Sequence, residues 1–567
     1  MTADTTAAPA RTHNELLKES NPTLAGTIAE TLADPQAECL SDDDAQLLKA
    51  HGSYQQDDRD LRKTGKKYIF MVRCRIPGGV VTPAQYLACD ELATRYGNNT
   101  LRVTSRQSFQ FHGVVKGGLR PLVKGINDSL LSTLAACGDN TRNVLAPPTP
   151  AMNGLGTLVH KHARQVAAAV APCTPAYHAI WIDGQPLDLG IPENRDFVDP
   201  LYGKTYLPRK FKFAFVIPPL NDMDIFTNCC GFIAIADGQG KLLGYNLTAG
   251  GGMGRSHGNK DTFPRLADVI GFLPPEKVVD VAKAVIGIHR DFGDRGNRKH
   301  ARLKYVLEDR GPEWFRGEMQ QRAGLEFEEA RAFKFEKQGD AFGWHRQADG
   351  RLFLGLFVET GRIKDKDGWK LKTALRQVVE RYQPEVRLTP ANNMILANIA
   401  PAQRDEITKL LAAHGVETEP ERQGSLLRRA SMACVALPTC GLALAEAERY
   451  LPSLITRLEA LLAELGLGGQ EITIRMTGCP NGCARPYMAE IGLVGKAPGR
   501  YQIWLGGNEA CTRLARVYVE MVKDPDITTE LRPLFERYAR ERRPAERFGD
   551  WVARALWPQQ SEATNWP

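Results

Sequence analysis

The chain has 567 residues, 43% hydrophobic and 25% charged, with a formal net charge of +7. Such a composition belongs to a globular protein with a large core, and the length to roughly three or four domains. No apolar run reaches the ~18 residues that cross a bilayer, no concentrated basic tract marks a nucleic-acid binder, and twelve cysteines are too few for a disulfide scaffold.

Met1 to Glu15 is small and polar and lacks the basic start and apolar run of a secretory signal, so it reads as a loose tail on a cytoplasmic protein. From Lys67 the pattern is a strand running to Arg73-Cys74-Arg75, a Pro77-Gly78-Gly79 turn, a helix from Pro83 to about Tyr96, and a strand-like stretch Leu101–His112. Residues 351–398 repeat that order, with a helix from about Leu371 to Tyr382 and a strand-like stretch Val386–Leu396 that sets Thr389 in the place of Thr104. Residues 211–252 carry strands at Phe213 and Gly231 and end glycine-rich; residues 471–507 repeat them from Ile472 and Glu490. Leucines from Leu451 to Leu465 fall at helical spacing and stop at Gly466, a core stripe.

The order is therefore A–B–A′–B′. It predicts an α+β fold of mixed sheets with flanking helices, related by pseudo-twofold symmetry, with a site at the shared interface. The expected division is an arm over 1–65, a half-domain 66–148 paired with its repeat 340–405, a domain 149–335, and a second such domain 424–567.

That last domain holds the chemistry. Five residues separate Cys434 from Cys440, and three separate Cys479 from Cys483. Four thiolates hold either a 4Fe–4S cluster or a structural zinc. Zinc knuckles favour two-residue gaps, so these wider gaps suit the larger cubane. In Thr477-Gly-Cys-Pro-Asn-Gly-Cys483 a strand runs straight into a tight turn whose glycines let backbone amides approach sulfur.

Cys434-Val-Ala-Leu-Pro-Thr-Cys440 and Thr477-Gly-Cys-Pro-Asn-Gly-Cys483 resemble the two cluster motifs of the sirohaem nitrite and sulfite reductase family, and the similarity runs from about His51 to Asp550. Leu437-Pro438-Thr439 between the first pair is of the sulfite type, where nitrite reductases carry Asn-Gln-Phe. The resemblance implies sirohaem and a 4Fe–4S cluster at the domain interface, with Cys483 bridging them, and the six-electron reduction of sulfite to sulfide in sulfate assimilation and cysteine biosynthesis. It assigns Cys434, Cys440, Cys479 and Cys483 to the cluster. It also implies an electron donor on another chain, a flavoprotein reductase drawing on NADPH in preference to a ferredoxin, since no G-x-G-x-x-G dinucleotide motif is present; Asp57-Asp58-Arg59-Asp60 resembles the flavoprotein-linked type.

A small oxyanion and a carboxylate-rich macrocycle both call for inward cations. The resemblance places substrate on Arg73, Arg142, Lys210 and Lys212. Lys210 and Lys212 alternate onto one side of an extended segment, and Arg73 and Arg75 share a side of theirs. Arg102, Thr104, Arg106 and Gln110 alternate along Leu101–His112, and in the family this stretch meets the macrocycle. Its repeat keeps Arg387 and Thr389 but has Ala391 and Ile395, so only one copy keeps the polar side. Arg255, His257, Asn259 and Lys260 of the glycine-rich run, with Asn481, complete the cofactor candidates.

Overall fold

The computed structural model describes residues 11–150, 154–174, 181–182, 185–186 and 197–558. Its first half-domain is built on a strongly signalled helix, Pro83–Tyr96. Thr82 accepts from the Gln85 amide at 3.2 Å while the Gln85 side chain accepts from the Thr82 amide at 3.0 Å, and Pro83 presets the first helical φ. The sheet beneath is antiparallel, in the order Ser53–Asp57, Tyr68–Arg73, Phe109–Val114, Leu101–Val103 and Arg362–Ile363. Its repeat runs Gly343–Arg346, Leu352–Leu356, Met394–Ile399, Glu385–Leu388 and Val80–Val81. Each half-domain thus lends the other an edge strand, which removes an open edge from both. One core unites them, with Val72, Phe109 and Phe111 beside Leu354, Leu375 and Val386.

The other two units carry the mixed sheets. Phe213–Val216 lies parallel to Cys230–Ala236, followed antiparallel by Leu242–Ala249 and Asp268–Leu273. In the second unit Ser431–Ala433, Ile474–Thr477 and Ile491–Ala497 are parallel, and Arg500–Leu505 and Arg516–Lys523 continue antiparallel. Strands that start at Phe213 and Cys230 return at Ile474 and Ile491 with unchanged spacing. The helix Leu451–Glu464 buries its leucine stripe against the second of these sheets.

Equivalent residues meet where the four units join. Asp224 (φ 44°, ψ 58°) and Arg485 (φ 55°, ψ 50°) are both left-handed residues that open short turns, Ile225–Thr227 and Pro486–Met488. Arg485 donates its Nε to Asp224, and Arg475 donates Nη1 to the same carboxylate at 2.8 Å. Arg485 also reaches the carbonyls of Ser105 (3.4 Å) and Pro390 (3.1 Å), which hold equivalent places in the two half-domains. One guanidinium therefore ties all four units together. Burial alone would raise the Asp224 carboxyl; Arg475 and Arg485 hold it down at about 2.

Three sequence expectations change. Leu101–His112 is a hairpin, not one strand: Arg102 pairs with Gln110, Val103 with Phe109, and Gln107 turns the chain at φ 49°. The turn contains neither Gly nor Pro, so the alternation read straight through it. Arg75 does not share a side with Arg73; it bridges to Ser132 and donates Nη2 to the Ala167 carbonyl at 2.6 Å. The loose tail does not extend to Glu15: His13–Ser20 is helical, and buried Glu15 accepts from Lys18 at 2.5 Å, while Met1–Ala10 lies outside the described residues. Among the described residues no helix is long and apolar enough to cross a membrane.

Candidate active site

The four cysteines of the two pairs come together. Burial first, then the charge of Cys483, pushes Cys434 and Cys440 up and Cys479 up to about 12. Backbone amides answer them. Gly478 N–H points at the Cys434 sulfur (3.4 Å), Leu442 and Ala443 amides at Cys440, and the Asn481 side chain at Cys479 (3.5 Å). Cys483 differs from its neighbours in being exposed. Among the described residues no three His, Cys, Asp or Glu side chains converge tightly enough to share one metal ion. Buried thiols that raise one another are costly as thiolates until a positively charged group neutralises them, and a 4Fe–4S cluster bound there would lower their pKa values outright.

The hairpin turn and the glycine-rich run dock on this cysteine turn. Ser105 Oγ donates to the Cys483 carbonyl at 3.1 Å, and the Arg255 amide donates to the Pro480 carbonyl at 3.0 Å. Gly482 has φ 62°, and a Cβ there would come within 2.8 Å of the Tyr487 ring and 3.2 Å of the Met253 carbonyl, so only glycine lets the loop pass.

Beside it lies a set of buried and partly buried cations. The segment 141–145 runs parallel to 211–214, and the Arg142 amide donates to the Phe211 carbonyl at 2.9 Å, which sets Arg142 between Lys210 and Lys212 along the chain. Burial, then Arg209, Arg302 and Arg142, lowers Lys210 to about 7. Burial, then Arg106 and Lys210, puts Lys212 well below its ordinary value. Lys304 falls to about 7 for the same first cause, followed by Arg302. Arg142 gives Nη1 to the Ala136 carbonyl (3.2 Å) and Nη2 to Gly138 (2.9 Å), and Arg73 gives Nη1 to Ala136 at 3.4 Å. Cations that depress one another in a buried site are the environment of an anion.

The hairpin residues divide. Gln110, its amide oxygen turned to Arg73, accepts from Nε at 3.0 Å. Arg106 is lowered by burial to about 9 and clasps the Phe213 carbonyl (2.9 Å) and Asn228 (2.9 Å). Thr104 accepts from the Arg106 amide at 3.3 Å. Arg102 pairs with Glu448 at 2.8 Å and donates to the Thr360 and Ala433 carbonyls at 2.8 Å each. It braces the strand that ends beside Cys434. Arg255 stacks over Trp504, 5.2 Å from the ring centre. Asn259 serves its own turn, accepting from the Asp261 amide at 2.9 Å, and His257 and Lys260 are exposed.

A family model described as the nitrite and sulphite reductase 4Fe-4S domain matches residues 162–327, and one described as the nitrite/sulfite reductase ferredoxin-like half domain matches 62–129 and 345–414. The NADPH sulfite reductase hemoprotein beta-component of Myxococcus xanthus is 50% identical over 547 residues, 95% of this chain and 96% of that one. The chain belongs to the nitrite and sulfite reductase family. The Geobacillus kaustophilus beta-component is 47% identical over 558 residues, 97% of each chain. The solved Mycobacterium tuberculosis NirA protein superposes with a TM-score of 0.76 at 25% identity, covering 97% of both chains.

Within this family's two-copy architecture, only one copy of the site is equipped. The 162–327 match lies in the first repeated unit, yet the cysteines stand in the second. At the places of Cys479 and Cys483 the first unit has Pro218 and Asp222; at those of Lys210 and Lys212 the second has Glu471 and Thr473. In the unequipped copy Thr389 and Asn393 donate to Asp340 at 2.6 and 2.8 Å, so the chain fills that place with its own carboxylate. Sequence reasoning missed Arg302, Lys304 and Cys229. Arg302 donates Nη2 to the Cys229 sulfur at 3.3 Å, and Lys304 donates to the Gly254 carbonyl at 3.0 Å. Arg302-Leu303-Lys304 repeats the cation–apolar–cation spacing of Lys210-Phe211-Lys212, a signal that was present in the sequence.

Proposed function

We propose that this chain reduces sulfite to hydrogen sulfide with six electrons, as the haemoprotein of an assimilatory sulfite reductase feeding cysteine biosynthesis. The observation that carries the reading is the meeting of four cysteines, three with N–H groups on their sulfurs, with buried Arg142 and partly buried Lys210, Lys212 and Arg73. Cys434, Cys440, Cys479 and Cys483 would hold the 4Fe–4S cluster, with exposed Cys483 on the side shared with sirohaem; Arg106, Arg255, Arg302 and Lys304 suit the macrocycle's carboxylates. When bound, the sirohaem iron and the cluster supply electrons to sulfur.

The chain's own residues handle charge and protons. Arg73 and Arg142 stay charged and hold the oxyanion. Lys210, lowered to about 7, gives up a proton readily at neutral pH, and Lys212 beside it provides a second. The electron donor we propose is a separate NADPH-linked flavoprotein subunit, in keeping with the names of the beta-component relatives.

The test is the purified protein's visible spectrum with iron and acid-labile sulfide content, followed by rates on sulfite and nitrite. A sirohaem band, a full cluster and a higher kcat/KM on sulfite are expected. A colourless zinc protein, or one that prefers nitrite, overturns the reading.

A further inference from the structure

The loop that carries Cys434 and Cys440 is gathered at both ends by one buried arginine. Arg102 donates Nη2 at 2.8 Å to the carbonyl of Ala433, in the peptide that leads into Cys434, and Nε at 2.8 Å to the carboxylate of Glu448, beyond Cys440. Arg102 stands directly opposite Arg362 where Leu101–Val103 pairs with Arg362–Ile363. Both arginines are buried, 3% and 9% exposed, and like charges facing each other across two strands repel. Glu448 takes both of them: Arg362 donates Nε to Oε1 at 2.7 Å and Nη2 to Oε2 at 2.9 Å.

Two guanidinium groups thus share one carboxylate, and among the described residues neither has a second acidic partner. The other contacts of Arg362 are neutral, Thr100 Oγ1 at 3.1 Å and His112 Nδ1 at 2.8 Å. Arginine only donates, so that ring nitrogen accepts and His112 carries no charge. Burial alone would raise the Glu448 carboxyl; Arg362 and Arg102 hold it below its ordinary value, so it is ionised at neutral pH. One positive charge is therefore left over, buried against the peptide that joins Ala433 to Cys434.

We infer that the Arg102–Glu448–Arg362 triad sets the reduction potential of the cluster, with Glu448 and Arg362 acting through Arg102 as positioning residues. A 4Fe–4S cluster on four thiolates is anionic and gains one more negative charge with each electron it takes. A buried cation beside it favours the reduced form, and Glu448 offsets part of that pull. The inference rests on the proposed cluster ligation and concerns how readily the cluster accepts an electron from the donor.

The experiment is a mediated redox titration of the cofactor-loaded haemoprotein under carbon monoxide, which keeps the sirohaem iron ferrous, with the reduced cluster followed by electron paramagnetic resonance. Glu448→Gln removes the anion and should favour reduction about tenfold, about 59 mV more positive for one electron. Arg362→Gln removes a cation and should shift the equilibrium about tenfold the other way. The double variant and the charge-conserving Glu448→Asp should each stay within about threefold of the parent. A purely structural role for the triad would not give opposite signs. Unchanged potentials in both single variants, shifts of the same sign, or loss of the cluster from both overturn the inference. If one single variant fails to load its cluster, the sign of the other decides. A parent protein that loads no cluster removes the functional reading itself, so the two failures are distinct.

Discussion

Replacing Lys210 with arginine separates charge from proton delivery. Lys210 is brought to about 7 by burial first and by Arg209, Arg302 and Arg142 next, so near neutral pH about half of it carries a proton it can give. Arginine keeps the positive charge at that point but does not release a proton in this range. Attraction for sulfite is therefore retained, and KM should stay within about threefold. A positioned general acid contributes about a hundredfold or more, so kcat should fall by about that factor, or about 2.7 kcal/mol in the barrier. The sign of the pH effect follows: the protonated form is the active one, so kcat falls as pH rises through the lysine's pKa, and Lys210→Arg should lose that limb. Steady-state sulfide production with excess chemical reductant, normalised to sirohaem content, measures both effects. Full turnover in a Lys210→Arg, Lys212→Arg double variant would refute the reasoning and point to ordered water as the proton source.

Ser in place of Cys434, Cys440 or Cys479 should abolish iron and acid-labile sulfide loading; a variant with a full cluster contradicts the ligand set. Cys483→Ser should disturb the sirohaem and cluster signals together, and a change confined to the cluster would rule out a shared thiolate. Asp224→Asn leaves Arg475 and Arg485 buried without their counter-charge, which costs about 3–5 kcal/mol; denaturant unfolding that shifts by less than about 1 kcal/mol would show that the junction of the four units does not depend on it. The same carboxylate, held at about 2 against an ordinary 3.8, contributes roughly 2 kcal/mol above pH 4 that is lost as pH falls through about 2, and acid unfolding of Asp224→Asn should lack that component.

Much of this was legible because the chain states it twice. The helices from Pro83 and Leu371 and the strands at Phe213 and Ile474 repeat with fixed spacing, and Cys434, Cys440, Cys479 and Cys483 stand in paired turns that only close backbone approach explains. What stayed hidden depends on partners distant in sequence. Arg102 meets Glu448, and no local pattern links those two. The turn at Gln107 carries no breaker residue, so a hairpin read as a strand.

The most direct test of the central claim is the electron balance of the purified chain reducing sulfite with a chemical donor under anaerobic conditions. One sulfide for every six electrons consumed, with no partly reduced sulfur released, is the expected result. Electrons consumed without sulfide, or sulfide formed by a preparation that holds no iron–sulfur cluster, would contradict it.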